Sequence, residues 1–187
     1  WSDWRFGSDP IEKPVFPVQG GDWPDLPIRE FGYKRSSTHN HQGVDIHMPV
    51  GTPVLASVGG TVRQVCTALC SGFSGYGRII VIESTPNMGA PRLWWLYTHL
   101  QDVYVRTGDT VTQGQKIGTV GKSCFSRTDP TDDCSLPHLH FEISPRSYPQ
   151  PSESWRYAPF EMFTALGTGD KAAIAAVPTT ADGPLLG

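Results

Sequence analysis

The chain has 187 residues, 38% of them hydrophobic and 18% charged, a size that fits one domain with tails and excludes two independent cores. Its 20 glycines and 17 prolines place a breaker of regular structure at about one position in five, which excludes long helices. A formal charge of -3, from 15 basic and 18 acidic residues, excludes both a basic footprint for nucleic acid and a polybasic patch for anionic lipid.

The sequence begins at Trp1 without an initiator Met or a charged-then-apolar leader, and is read as a processed or truncated product. Residues 1–30 are rich in Trp and Pro without a hydrophobic period, and are expected to be an extension that wraps the core. Trp1, Trp4 and Trp23 could stack on sugar rings, but large aromatics more often pack such an extension down. Alternation of apolar and polar residues then predicts strands at 52–56, 61–65, 78–83, 93–100 and 139–143. Turn signals separate them: Gly59-Gly60, Ser71-Gly72, Gly75-Tyr76-Gly77, Pro86-Asn87-Met88-Gly89, Thr107-Gly108-Asp109 and Gln113-Gly114. Short strands punctuated in this way predict an all-β fold, an antiparallel sheet or sandwich. The one helix expected is Pro159–Leu166, with Pro at its start and Gly167 just past its end. The resulting organisation is an extension over 1–30, a core over 31–146, a second extension with the helix over 147–167, and a flexible tail or linker over 168–187. The apolar runs at 78–82 and 172–177 fall short of the roughly 18–20 residues that cross a bilayer, so no membrane span is expected.

Cys66, Cys70, Cys124 and Cys134 form two sequence-local pairs set among polar residues. Of the possible pairings, the local one closes two short loops, and such bridges persist in secreted, extracellular or periplasmic proteins. A structural zinc site is the competing reading, but the spacing does not match paired Cys-x-x-Cys ligands.

The histidines carry most of the chemistry. Within 137–143, strand parity puts His138, His140 and Glu142 on one face and Leu139, Phe141 and Ile143 on the other, so that imidazoles line a cleft while the apolar set is buried. The ends of His41-Gln42-Gly43-Val44-Asp45 would stand about 13 Å apart in a straight strand, too far to share one ion. The segment must bend, and Gly43 permits it. Two histidines and a carboxylate with one open position suit zinc best, although ligand type alone also admits manganese, cobalt or iron. Spacing does not tell which of His138 and His140 is the ligand. Parity over 93–100 places His99 on the face of Trp95 and Tyr97, opposite Leu96 and Leu100, where a hydrogen-bonded core histidine is the default. His47 is expected at the surface and His39 in a loop.

Together these segments resemble the lysostaphin-type zinc endopeptidases, which include the β-lytic and staphylolytic cell-wall peptidases. The resemblance runs from about residue 14 to 145 through Phe31-Gly32-Tyr33, His41 to Ile46, Pro49 to Ala56, Gly75-Tyr76-Gly77, Tyr97-Thr98-His99-Leu100, Gly108 to Gly118 and His138 to Ile143. It implies a core like that of lipoyl-carrier domains, the duplicated hybrid motif, with loops walling a groove. It implies that His41, Asp45 and His140 bind one Zn2+ per chain while His99 and His138 work on the substrate. His138 is the preferred base toward a metal-activated water, and His99 the stabiliser of the oxyanion or donor to the leaving amine. Tyr33 is a candidate oxyanion donor; Tyr97 and Glu142 are candidates to stand behind the ligands. The implied partner is a peptide stem or cross-bridge of peptidoglycan, cut at glycyl-glycine or at D-alanyl bonds to a diamino acid by a monomeric enzyme. A catalytically silent wall-binding or amidase-activating relative, or a secreted protease acting on glycine-rich proteins, is the alternative. The chain departs from the pattern between Lys122 and Pro137, where the groove-walling loop is longer, acidic at Asp129, Asp132 and Asp133, and closed by Cys124 and Cys134.

Overall fold

A computed structural model describes residues 13–26, 29–36, 39–84, 92–126, 128–129, 133–149, 156–168, 173 and 176–177. Trp1, Trp4, Asp132, the turn at 86–89 and most of the expected tail lie outside them. The strands are β1 (Lys34–Ser36), β2 (His39–Asn40), β3 (Val44–Ile46), β4 (Pro53–Leu55), β5 (Gly60–Cys66), β6 (Ile79–Ser84), β7 (Trp94–Thr98), β8 (Leu100–Val103), β9 (Thr110–Val111), β10 (Lys116–Ser123) and β11 (Asp133–Ser144). One helix, α1 (Pro159–Thr168), follows.

The fold is mostly β, as expected. β1 and β2 form a small ribbon, and the other strands form one sheet in the order β4-β10-β11-β7-β6-β5-β9, with β3 also on β11 and β8 on β10. The pairings are antiparallel. The long strands change partners along their length: β10 meets β4 and β8 through 116–120 and β11 at 121–123. β11 leaves β10 after His138 and lies between β3 and β7 from Leu139 onward. A strand with three partners cannot lie in a flat sheet, so the sheet curls around its core.

The predicted strands at 52–56, 61–65, 78–83 and 139–143 fall on β4, β5, β6 and β11. The first four residues of β6 (79–82) are all apolar because both faces of the strand are covered. Ile80 and Ile82 join the main core with Trp95, Tyr97, Leu139, Phe141 and Ile143, while Ile79 and Val81 join Leu96, Phe73 and Cys66 in a second cluster. The stretch 93–100 is not the single strand its alternation predicts. His99 has φ 58, which divides β7 from β8 and resets the parity. Leu100 therefore lies in the main core with Trp95 and Tyr97, while His99 turns away from them.

The helix extends past its expected end, and Gly167 lies inside it as a helical residue beside the side chain of Lys13, not beyond it as a cap. Trp23 packs edge-on against Phe16 (5.0 Å between centroids), Phe160 (5.5 Å) and Phe163 (5.0 Å). Phe163 in turn contacts Trp95 and Phe141. Trp23 thus clamps the N-terminal segment to the helix, which is the packing role and not a sugar-stacking one. Trp23→Ala is expected to lower stability by about 2–3 kcal/mol in urea denaturation, toward the low end for aromatic truncation because the ring is only partly buried.

Candidate metal centre

The centre begins with a register. β3 pairs with β11 so that Asp45 stands directly opposite His140. The approach to β3 runs so close to β11 that a Cβ on Gly43 would lie 2.3 Å from the Phe141 carbonyl oxygen and 3.0 Å from His140 Cε1. Gly43 is not in the left-handed region; it is required here for close approach, not for the conformational freedom that the sequence reading assigned to it. The bend itself is present and brings His41 to Asp45. The His41 backbone is held on both sides, its N–H donating to the Tyr33 carbonyl and its carbonyl accepting from Gly32 N–H, both at 2.7 Å.

Three donor atoms converge. His41 Nε2 is 3.1 Å from Asp45 Oδ1 and 3.0 Å from His140 Nδ1, which is itself 2.7 Å from Asp45 Oδ1. Ligand atoms at 2.0–2.1 Å from a tetrahedral zinc ion stand roughly 3.3 Å apart, so the set needs only slight expansion to fit one. The opposite ring nitrogen of each histidine is occupied: His41 Nδ1 donates to the Glu30 carbonyl at 2.7 Å, and His140 Nε2 to Glu142 Oε1 at 2.9 Å. This anchoring turns the other nitrogen of each imidazole toward the centre, the usual arrangement behind metal-ligating histidines. Arg35 binds the other Asp45 oxygen, leaving Oδ1 to face inward.

The electrostatics favour a cation. Burial would raise Asp45, but hydrogen bonds from His140 and His41 hold it far below the ordinary carboxylate range. Burial opposes charge on His140, yet Asp45 and Glu142 raise it to about 9. His41, by contrast, is lowered, chiefly by burial. These residues form a buried cluster able to hold a metal ion.

His99 and His138 flank the centre. Their rings are 4.5 Å apart, and His138 Nε2 is 3.9 Å from Asp45 Oδ1. Nδ1 of His99 donates to the Ser123 carbonyl at 2.8 Å and Nδ1 of His138 to the Leu136 carbonyl at 2.8 Å, which leaves Nε2 of each as the free base. Burial, aided by His138 and His140, pushes His99 down to about 3, and burial also lowers His138, so both are neutral at pH 7. The positive φ of His99 points its ring here, away from the core position that parity predicted. Its N–H donates to the Tyr76 carbonyl at 3.0 Å. Gly77, at φ 64, lets the Ser123 carbonyl come within 2.0 Å of where a Cβ would stand. His47, expected at the surface, is half-buried and stacks on His138 at 5.1 Å.

The other candidates divide. Glu142 is fully buried with Oε1 against His140 Nε2. Tyr97 does not reach the centre: it lies in the main core with its hydroxyl accepting from Ser57 N–H at 2.9 Å, because the strand break at His99 leaves it on the opposite side. Tyr33 is beside His41 through its backbone, with its side chain 39% exposed. Tyr76, Tyr148 and Arg156, which the sequence reading did not single out, all bind Glu142. Tyr76 alone carried a signal, standing between two glycines. The cysteines lie close in their sequence-local pairs, with Cα separations of 6.1 Å for Cys66 and Cys70 and 5.3 Å for Cys124 and Cys134, within the range a disulfide spans.

Residues 39–151, more than half of the chain, match Peptidase family M23, and the chain belongs to that family. It is 37% identical over 109 residues to glycyl-glycine endopeptidase ALE-1 of Staphylococcus capitis, covering 58% of this chain and 26% of the relative. It is 30% identical over 148 residues to peptidoglycan DD-endopeptidase ShyA of Vibrio cholerae, covering 79% and 26%. The solved catalytic domain of lysostaphin from Staphylococcus simulans matches with a TM-score of 0.55 at 28% identity, over 72% of this chain and 89% of that domain. The chain spans about a quarter of the length of these curated relatives.

Gly77→Ala is expected to displace the Ser123 carbonyl, costing roughly 1–3 kcal/mol in urea denaturation. In the same variant the His99 Nδ1–H resonance should lose its protection against hydrogen exchange.

Proposed function

We propose that this chain is a zinc-dependent endopeptidase that hydrolyses peptide cross-links of peptidoglycan. The observation that carries the reading is the convergence of His41 Nε2, Asp45 Oδ1 and His140 Nδ1 beside two neutral histidines with free Nε2 atoms. His41, Asp45 and His140 would hold zinc, which when bound lowers the pKa of a coordinated water toward about 7 and polarises a carbonyl.

The protein residues do the rest. His138 Nε2, near the centre and neutral, takes the proton of the attacking water. His99, gripped at Nδ1 by Ser123 and at its backbone by Tyr76, presents Nε2 to the developing oxyanion or the leaving amine. A proton gained at one Nε2 is then available to the departing nitrogen, general acid–base work worth about 10²–10⁴ in rate. His47, stacked on His138, limits the rotation of that ring.

Peptidoglycan as the substrate class is supported by the relatives, one named a glycyl-glycine endopeptidase and the other a peptidoglycan DD-endopeptidase. We assign the peptidase to residues 31–146, flanked by the extensions 1–30 and 147–167. The cysteine pairs are taken as disulfides, which fits a site of action outside the cytoplasm where peptidoglycan lies.

Two wall types test this. Purified sacculi with glycine bridges, and others with D-alanyl bonds to a diamino acid, are incubated with the zinc-loaded chain, and the released muropeptides are read by mass spectrometry. New termini from at least one wall type are expected, abolished by a chelator and restored by zinc. Release from neither wall with zinc bound overturns the reading. His140→Ala is expected to lose the metal, whereas His99→Ala should retain about one zinc per chain while turnover falls at least about 100-fold. Loss of zinc from His99→Ala, or full activity, would overturn the role given to His99.

A further inference from the structure

Behind the centre, the carboxylate of Glu142 is wholly buried and receives four donors from the described residues. His140 Nε2 (2.9 Å) and the Tyr76 hydroxyl (2.9 Å) donate to Oε1; the Tyr148 hydroxyl (3.0 Å) and Arg156 Nε donate to Oε2. Arg156 is 1% exposed, and its guanidinium lies 4.6 Å from the centroid of the Tyr148 ring. The adjoining Tyr157 N–H donates to the Ile143 carbonyl at 2.8 Å, which ties this segment to the end of β11. A guanidinium is rarely taken so far from water without a paired anion. Here the anion is the group that fixes the ring of a candidate metal ligand. Arg156 also lies beyond residue 151, where the family match ends.

We propose that Arg156 is a positioning residue for the metal centre, acting through Glu142 on His140; the inference rests on the metal-binding reading above. The ion pair and the Tyr148 hydroxyl hold Oε2, which fixes the carboxylate plane and keeps Oε1 in place to accept from His140 Nε2–H. With Nε2 committed to Glu142, Nδ1 is the nitrogen turned toward Asp45 and His41, and the one a metal ion would take in place of a proton. Removing Arg156 takes from the buried Oε2 one of the two donors it has among the described residues and frees the carboxylate to rotate, so His140 loses its fixed orientation. The extension after the family-matched region is therefore part of the site's construction.

Zinc affinity of the full chain, measured by competition with a chromophoric chelator, tests the proposal. Arg156→Met is expected to bind zinc about 10- to 100-fold more weakly, and Glu142→Gln to lose affinity similarly, as for other partners standing behind ligands. If Arg156 acts through Glu142, the double variant is no weaker than the weaker single one. A folded Arg156→Met protein with wild-type affinity overturns the proposal, and so do losses that multiply in the double variant, even if the melting temperature falls. Should Arg156→Met fail to fold, Arg156→Lys keeps the charge but loses the planar fork, and carries the same expectation and the same refutation. A wild-type chain that binds no zinc refutes the metal-binding reading and this proposal together; wild-type binding with unchanged variants refutes only the role of Arg156.

Discussion

Asp45 and His140 face each other across a pair of antiparallel strands, and most of what is specific about this molecule follows from that pairing. The two residues could not meet at 2.7 Å if β3 and β11 were offset by even one position, because each side chain would then point to the other face. The same register buries Val44 and Ile46 with Leu139 and Phe141, so the hydrophobic core and the polar cluster enforce one alignment. Gly43 contributes by what it lacks: any side chain there would push the strands apart just before the paired residues.

The cluster is a balance of charges in a dry setting. Two carboxylates, Asp45 and Glu142, lie within hydrogen-bonding reach of one imidazole, and a guanidinium sits on the outer side of each, Arg35 on Asp45 and Arg156 on Glu142. Burial alone would neutralise the acids. The cationic and hydrogen-bonding partners outweigh it, holding Glu142 at about 2 despite complete burial. His99 and His138 occupy the opposite regime, where burial outweighs the partners that would raise them and leaves neutral bases. One small region thus holds histidines of both kinds, separated by what each second ring nitrogen touches: a carboxylate for His140, backbone carbonyls for His41, His99 and His138.

Parity made much of this legible in advance. In β11 the strict alternation holds, so the apolar and polar sets separate as the sequence predicts, because that strand is regular from Leu139 onward. It fails at His99, where one residue with positive φ reverses the faces, placing Leu100 in the core and leaving Tyr97 away from the centre. No local pattern marks that reversal, since a non-glycine residue in this conformation is imposed by its surroundings, here the Tyr76 and Ser123 carbonyls. Arg156 was illegible for a different reason. Its burial depends on a partner fourteen residues away that lies on another element, and in isolation it reads as surface. Gly167 looked like a stop signal and is instead helical, a case of tertiary packing overriding a modest intrinsic penalty.

The closeness of the Lys13 side chain to Gly167 has a bearing beyond packing. Where the chain enters the described core and where its helix finishes are neighbours in space, clamped by Trp23 against Phe160 and Phe163. The chain does not leave the core where the helix ends, however: Ala173 packs against the main core and Val177 is buried in it. A module joined after Val177 would be held at the core by that residue, and its reach would be counted from there and not from the end of the helix.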